Sequence, residues 1–305
     1  MSTIRKNLDG LAITLMLLLC FCWGLQQVAV KLAAPIVSSS MQIGLRSGLA
    51  ALMVYVLILI RGIPFSLKDG SLLPGLAAGA LFAAEFLCIA IGLNYTSASH
   101  MSVFLYTAPI FTVIGLHWLI PSERMHVSQW LGILSAFAGI AVAFSAAFAA
   151  TSGKGLDDPN LGKMLFGDAL GVLGGLLWAA TTVTIRKSRL SEAEPTTTLL
   201  YQLAGAAVIL LVYATALGES MLIPASAVAW GSILFQTVIV AFASYLTWFW
   251  LLRHYLASRL SVFSFLTPLF GVAAGVIFLH DAISPRFAIG SGLVLAGIVL
   301  VNRRQ

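Results

Sequence analysis

Apolar stretches long enough to cross a bilayer constrain this chain more than any single residue does. Ten of them follow one another with short polar breaks, at 11–33, 40–60, 71–93, 98–119, 127–148, 165–186, 196–217, 227–252, 258–279 and 285–302. About 20 apolar residues span the hydrocarbon as a helix, and in lipid only a helix or a closed barrel satisfies its own backbone. With 60% hydrophobic and 9% charged residues, the chain has too few charges for a solvated surface, since soluble domains carry roughly 25%. The predicted fold is an all-α integral membrane protein with ten transmembrane helices. Arg5 and Lys6 precede the first stretch as in a signal peptide, but the stretch exceeds a typical signal core of roughly 7–15 residues and its features recur in the sixth.

The chain also reads twice. Residues 98–111 (ASHMSVFLYTAPIF) and 257–270 (ASRLSVFSFLTPLF) agree at seven of fourteen positions at an offset of 159. The Gly-, Asp- and Pro-containing stretch 149–164 is the expected extracytoplasmic linker between a first five-helix repeat, 11–148, and a second, 165–302. Five is odd, so two such repeats in one membrane must be inverted relative to each other. The charges agree. With the N-terminus inside, Arg5, Lys6, Arg61, Lys68, Arg124, Arg186, Lys187, Arg189, Arg253, Arg259, Arg303 and Arg304 fall on the cytoplasmic side, and only Lys154, Lys163 and Arg286 outside. That bias predicts both termini in the cytoplasm. Asn94 and His100 flank a turn predicted outside, whereas their repeat partners Arg253 and Arg259 flank one predicted inside.

The net charge of +6 is spread over span ends, which orients the chain rather than forming a nucleic-acid surface. Cys20, Cys22 and Cys88 lie in apolar runs without zinc-ligand spacing and read as packing residues. No metal or other cofactor is expected. No Gly-x-x-x-x-Gly-Lys-Ser/Thr run is present, so the chain itself is not expected to hydrolyse nucleotide.

Local text repeats as well. Phe21-Cys22-Trp23-Gly24 is followed by Lys31, and Leu177-Trp178-Ala179 by Arg186, with the same spacing from tryptophan to base. Pro109 matches Pro268, Gly132 matches Gly290 and Gly139 matches Gly297; the fifth and tenth spans begin near Glu123 and Asp281. With ten spans in two halves, the chain resembles the EamA-type branch of the drug/metabolite transporter superfamily over residues 11–302. The resemblance implies a multi-pass carrier of the bacterial cytoplasmic (inner) membrane, often an exporter of amino acids or related metabolites. It carries no strict catalytic motif.

Glu85, near the middle of the third span, is the first candidate for substrate binding or coupling. A carboxylate at that depth costs several kcal/mol unless it is paired, hydrated or protonated. Arg46 in the second span falls at a similar depth, roughly 5–10 Å from the midplane at 1.5 Å per residue. The two can pair with each other or with the amine and carboxylate of a zwitterion. Gln26 and Gln27 align with Thr181 and Thr182, Arg46 with Gln202, and Glu85 with Ser244. Such a pseudo-symmetric polar set suits a midplane pocket, and equally interhelical hydrogen bonding. Trp23, Trp178, Trp248, Tyr106 and Tyr245 lie inside spans, where they can stack on a substrate or pack against other helices. Pro109 and Pro268 are expected kinks or gate elements. Lys31 and Arg186, at span ends, read as snorkelling anchors, with a gate role as the alternative.

A secondary carrier working by alternating access fits these features, with a zwitterionic or aromatic small molecule as substrate, the bilayer as partner and Glu85 as a possible proton carrier. Multidrug or organic-cation export is the alternative within transport. A membrane enzyme would need clustered acids or histidines that the sequence lacks, and a non-transporting assembly subunit would leave Glu85 and Arg46 without a purpose.

Overall fold

The computed structural model describes residues 6–64, 69–96, 98–143, 145, 161–220, 224–279 and 285–302. Helices follow one another: α1 (Gly10–Ala33), α2 (Ser39–Arg61), α3 (Leu72–Gly92), α4 (Ala98–Leu105), α5 (Ala108–Leu119), α6 (Val127–Ala143), α7 (Leu161–Lys187), α8 (Pro195–Ala216), α9 (Ala227–His254), α10 (Ala257–Phe263), α11 (Leu266–Leu279) and α12 (Pro285–Asn302). Local chemistry sets the ends. The Asp9 side chain accepts from the Ala12 amide at 2.9 Å and starts α1, and Ser38 does the same for α2 from Met41 at 3.2 Å. Gly62, at φ +58°, closes α2 in the left-handed conformation. Among the described residues, α1, α2, α3, α7, α8, α9 and α12 are long and apolar enough to cross a membrane.

The sequence predicts single kinked helices over 98–119 and 258–279. Each is instead two short helices, α4–α5 and α10–α11, and each break precedes the matched proline. Pro109 stands in the first turn of α5 and Pro268 is the third residue of α11, where a missing N–H leaves no intrahelical bond unmade. Both breaks are closed alike. Thr107 Oγ1 donates to the Phe104 carbonyl and Ser264 Oγ to that of Ser261, each at 2.6 Å.

Equivalent helices of the two repeats pack antiparallel. Along α6 and α12, a Cβ at Gly290 would lie 2.4 Å from the Gly139 carbonyl oxygen, and one at Gly297 2.4 Å from that of Gly132. Along α2 and α8, Gly44 faces Leu211 and Gly48 faces Ala207. Other packings come in exchanged pairs: α1 on α11 with α7 on α5, and α3 on α7 with α9 on α1.

One end of the bundle gathers the start of α1, the α5–α6 turn, the end of α7, the α9–α10 corner and the end of α12. Tyr255 donates to Asp9 at 2.8 Å, the Ser258 amide to Glu123 at 3.0 Å, and Gln129 to the Val301 carbonyl at 3.0 Å. At the other end Glu219 accepts from Ser38 and Ser40, and Asp168 from Thr96. The linker region 146–160 lies outside the described residues.

Candidate functional site

A central cavity of about 100 Å³ lies between the two repeats, with eight lining residues from each. Eight are aromatic: Trp23, Phe82, Phe86, Tyr106, Trp178, Tyr245, Trp248 and Phe249. They meet edge to face, with Trp23 5.8 Å from Trp248, Tyr106 5.7 Å from Trp178 and Phe82 6.0 Å from Tyr245 between ring centroids. This is the arrangement that ring quadrupoles favour, and it holds the walls in place. Trp23 Nε1 also donates to Ser244 Oγ at 2.9 Å, and Ser244 Oγ donates to the Val240 carbonyl at 2.6 Å. Ser244 thus braces the wall from behind and is not among the lining residues.

The polar lining is sparse: Gln26, Glu85, Thr181, Thr182 and Gln202. Thr181 and Thr182 donate to carbonyls one turn back in α7, at 2.9 and 3.2 Å, which leaves their oxygens as acceptors. Gln202 is 2% exposed, and its Nε2 has no hydrogen-bond partner among the described residues. Of the candidates from sequence, Trp23, Gln26, Glu85, Tyr106, Trp178, Thr182, Gln202 and Trp248 therefore surround one space. The Gln27, Lys31 and His100 side chains lie outside the described residues.

Arg46 does not line the cavity. It is 1% exposed, its guanidinium lies 5.1 Å from the centroid of the Phe86 ring, and its Nη1 approaches Gln236 Oε1 at 3.5 Å. Gln236 in turn donates to Gln42 Oε1 and Ser232 Oγ at 2.9 Å, and Ser232 donates to the Ala29 carbonyl at 2.7 Å. Gln42, Ser232 and Gln236 were missed by the sequence reading. Buried amides in apolar spans were the available signal, as at Gln202. Gln236 lies in a π-helical stretch of α9, Phe235–Ser244, an irregularity frequent at functional sites.

Arg186 is not the snorkelling anchor its position at a span end predicts. It is 5% exposed, pairs through Nη2 with Glu123, and donates through Nη1 to the Leu252 carbonyl at 3.3 Å. Glu123, 1% exposed, also accepts from the amides of Ala257 and Ser258 at 3.0 Å and from Ser258 Oγ at 2.6 Å. Burial of both charges between the repeats, rather than solvation at an interface, makes this pairing necessary. Among the described residues no three of His, Cys, Asp and Glu stand together as metal ligands.

Known proteins agree with this architecture. The EamA-like transporter family model matches twice, at residues 10–145 and 165–303. An uncharacterized transporter of Archaeoglobus fulgidus is 30% identical over 285 residues, covering 93% of this chain and 95% of that protein. The uncharacterized transporter YvbV of Bacillus subtilis is 27% identical over 283 residues, covering 93% and 87%. A solved chain described only as "Crystal structure of protein" superimposes with a TM-score of 0.78 at 19% identity, covering 95% of this chain and 96% of its own, and so shares the fold.

Proposed function

The chain belongs to the EamA-like transporter family, a membrane transporter of the drug/metabolite type, and on that premise we propose that it exports small amine-bearing metabolites by alternating access. Amino acids and their relatives are the first candidates. The observation that carries this reading is the cavity itself. It lies between antiparallel repeats, draws equally on both, and holds Glu85 within an aromatic wall. Glu85 would bind the substrate amine or, between substrates, a proton. The unpaired Gln202 Nε2 would donate to a substrate carboxylate or carbonyl, and tryptophan faces would take an apolar side chain. The ten apolar stretches support a ten-span chain, the Lys and Arg distribution supports both termini inside, and the family resemblance supports a bacterial inner membrane.

Organic-cation export is the second reading, favoured by one specific observation. Arg46 stands behind Phe86, so the lining presents a carboxylate and no guanidinium. Counterflow in proteoliposomes, with labelled amino acids, amines and quaternary cations, separates the two. Accumulation of an amino acid that is lost in Glu85→Gln supports the first reading. Accumulation of cations alone selects the second, and accumulation of none of these compounds by folded protein overturns both.

A further inference from the structure

A second, smaller cavity of about 10 Å³ adjoins the central cavity, lined by residues from the end of α7 and the end of α9, at the end of the bundle that holds the start of α1. It is lined by Arg186, Leu190, Pro195, Thr198 and Arg253 among others, and it shares Ile185 and Phe249 with the central cavity. Among the described residues only these two line both spaces, and they form the partition between them. Beyond the small cavity, Arg253 pairs with Glu194 at 2.8 Å, with both side chains partly exposed. Moving outward, the order is cavity, apolar partition, buried ion pair, and surface ion pair.

We infer that this line is the solute's route to that end, with Ile185 and Phe249 as its constriction and the Glu123–Arg186–Ser258 cluster as the lock that holds it shut. The inference rests on the carrier reading above and adds residues to it. The lock ties three elements that must part for the route to open. Glu123 comes from the α5–α6 turn of the first repeat, Arg186 from the end of α7, and Ala257 and Ser258 from the start of α10 in the second. Arg186 also holds the Leu252 carbonyl at the end of α9, three residues from Phe249. Separating the repeats here breaks the Glu123 side chain's hydrogen bonds to Arg186, Ala257 and Ser258 together, while the buried arginine loses its only counter-charge within hydrogen-bonding distance among the described residues. A charge buried without its partner is strongly unfavourable, so the cluster behaves as closed or hydrated-open, with little between.

The test places a single cysteine at Thr198, in the small cavity, after Cys20, Cys22 and Cys88 are replaced. Its modification by a membrane-impermeant methanethiosulfonate is followed in proteoliposomes. The intact lock should keep Thr198→Cys nearly unreactive. Glu123→Gln and, separately, Arg186→Gln should raise its rate at least tenfold, whereas Glu194→Gln, which removes only the surface pair, should not. An unchanged rate in both lock variants, each eluting as folded protein, overturns the proposal. So does an equal rise in Glu194→Gln, which would mark general loosening. Counterflow in the same vesicles keeps the two ideas apart. Flux without a change in labelling sinks the lock alone. Labelling changes without flux of any amino acid, amine or cation support the lock as a closure between the repeats but sink the carrier reading, and with it the solute route.

Discussion

At the scale of single residues, Gln202 in the cavity wall carries a buried donor with no hydrogen-bond partner among the described residues. Gln202 Nε2 is buried and unpartnered, and an unmade hydrogen bond there costs about 1–3 kcal/mol. Gln202→Leu should therefore leave the empty protein as stable or slightly more stable, while weakening binding of a carboxylate-bearing substrate about tenfold. Thermal melts with and without substrate measure both quantities, and a fall in the melting temperature of the empty protein would contradict the assignment. Trp23 makes the reverse case, because its indole N–H is already spent on Ser244. Trp23→Phe keeps the ring edges and loses that bond, so stability should drop by about 1 kcal/mol, read from the melting temperature in detergent. The sequence revealed Glu85, Gln202 and the tryptophans because polar or aromatic side chains inside apolar spans are conspicuous. It could not reveal that Arg46 lies behind Phe86, or that Arg186 turns inward to Glu123. Depth along a helix is set by counting residues, but the face a residue presents depends on neighbours that belong to distant parts of the chain.

At the scale of helices, close packing between antiparallel equivalents rests on glycine. A Cβ at Gly290 would meet the Gly139 carbonyl oxygen at 2.4 Å and the Ala143 amide at 2.5 Å, backbone atoms that cannot rotate away. Gly290→Val should destabilise by about 1–3 kcal/mol or more. Two residues on, a Cβ at Gly292 meets nothing within 4 Å, and Gly292→Ala should stabilise α12 by about 0.4–1 kcal/mol. Opposite signs from neighbouring glycines, read from denaturant or thermal midpoints, would be hard to explain by composition alone. The matched Gly132, Gly139, Gly290 and Gly297 were visible in the sequence as a repeat. Their pairing, 132 with 297 and 139 with 290, was not, because it requires the helices to run in opposite directions. The breaks before Pro109 and Pro268 were half-visible. Proline marks where a helix is disturbed, but whether it bends or restarts depends on the Thr107 and Ser264 hydroxyls closing the turn before it.

The N-terminal segment adds a pH-dependent strap at the same scale. Lys6 pairs alongside Tyr255, with the Leu256 amide donating to the Lys6 carbonyl at 3.2 Å. The Ala12 amide first, and the Tyr255 hydroxyl second, hold the Asp9 carboxyl below its ordinary value of 3.8. A lowered value means the folded state favours the charged form. Its contribution is complete above the ordinary value and is lost as pH falls through the lower, folded one. Hydrogen exchange at the Leu256 amide should accelerate relative to its intrinsic rate as the solution is acidified below about pH 4. In Asp9→Asn that step should be absent, and a step of the same size there would assign the effect elsewhere.

At the scale of the whole molecule, geometry and charge constrain topology independently. The start of α1 is tied to the α9–α10 corner through Asp9 and Tyr255, and that corner is tied to the α5–α6 turn through Glu123. The end of α12 is tied to the start of α6 through Gln129. The start of α1 and the end of α12 thus belong to one end of the bundle, whichever side of the membrane it faces. The Lys and Arg distribution is expected to choose the side, because Arg124, Arg189 and Arg253 all stand at element ends there. Antiparallel repeats need this asymmetry. Two near-equivalent halves pointing opposite ways offer no intrinsic top or bottom, so charge at the turns must break the tie. Fluorescent-protein fusions at either terminus should both be bright inside bacterial cells, and alkaline phosphatase fusions at both should be inactive. Adding arginines at Asn94 and Thr96, at the opposite end, together with neutral replacements of Arg253 and Arg259, should shift part of the population toward active phosphatase at both termini at once. Movement of one terminus without the other would contradict the shared end, and with it the inverted pairing of the two repeats.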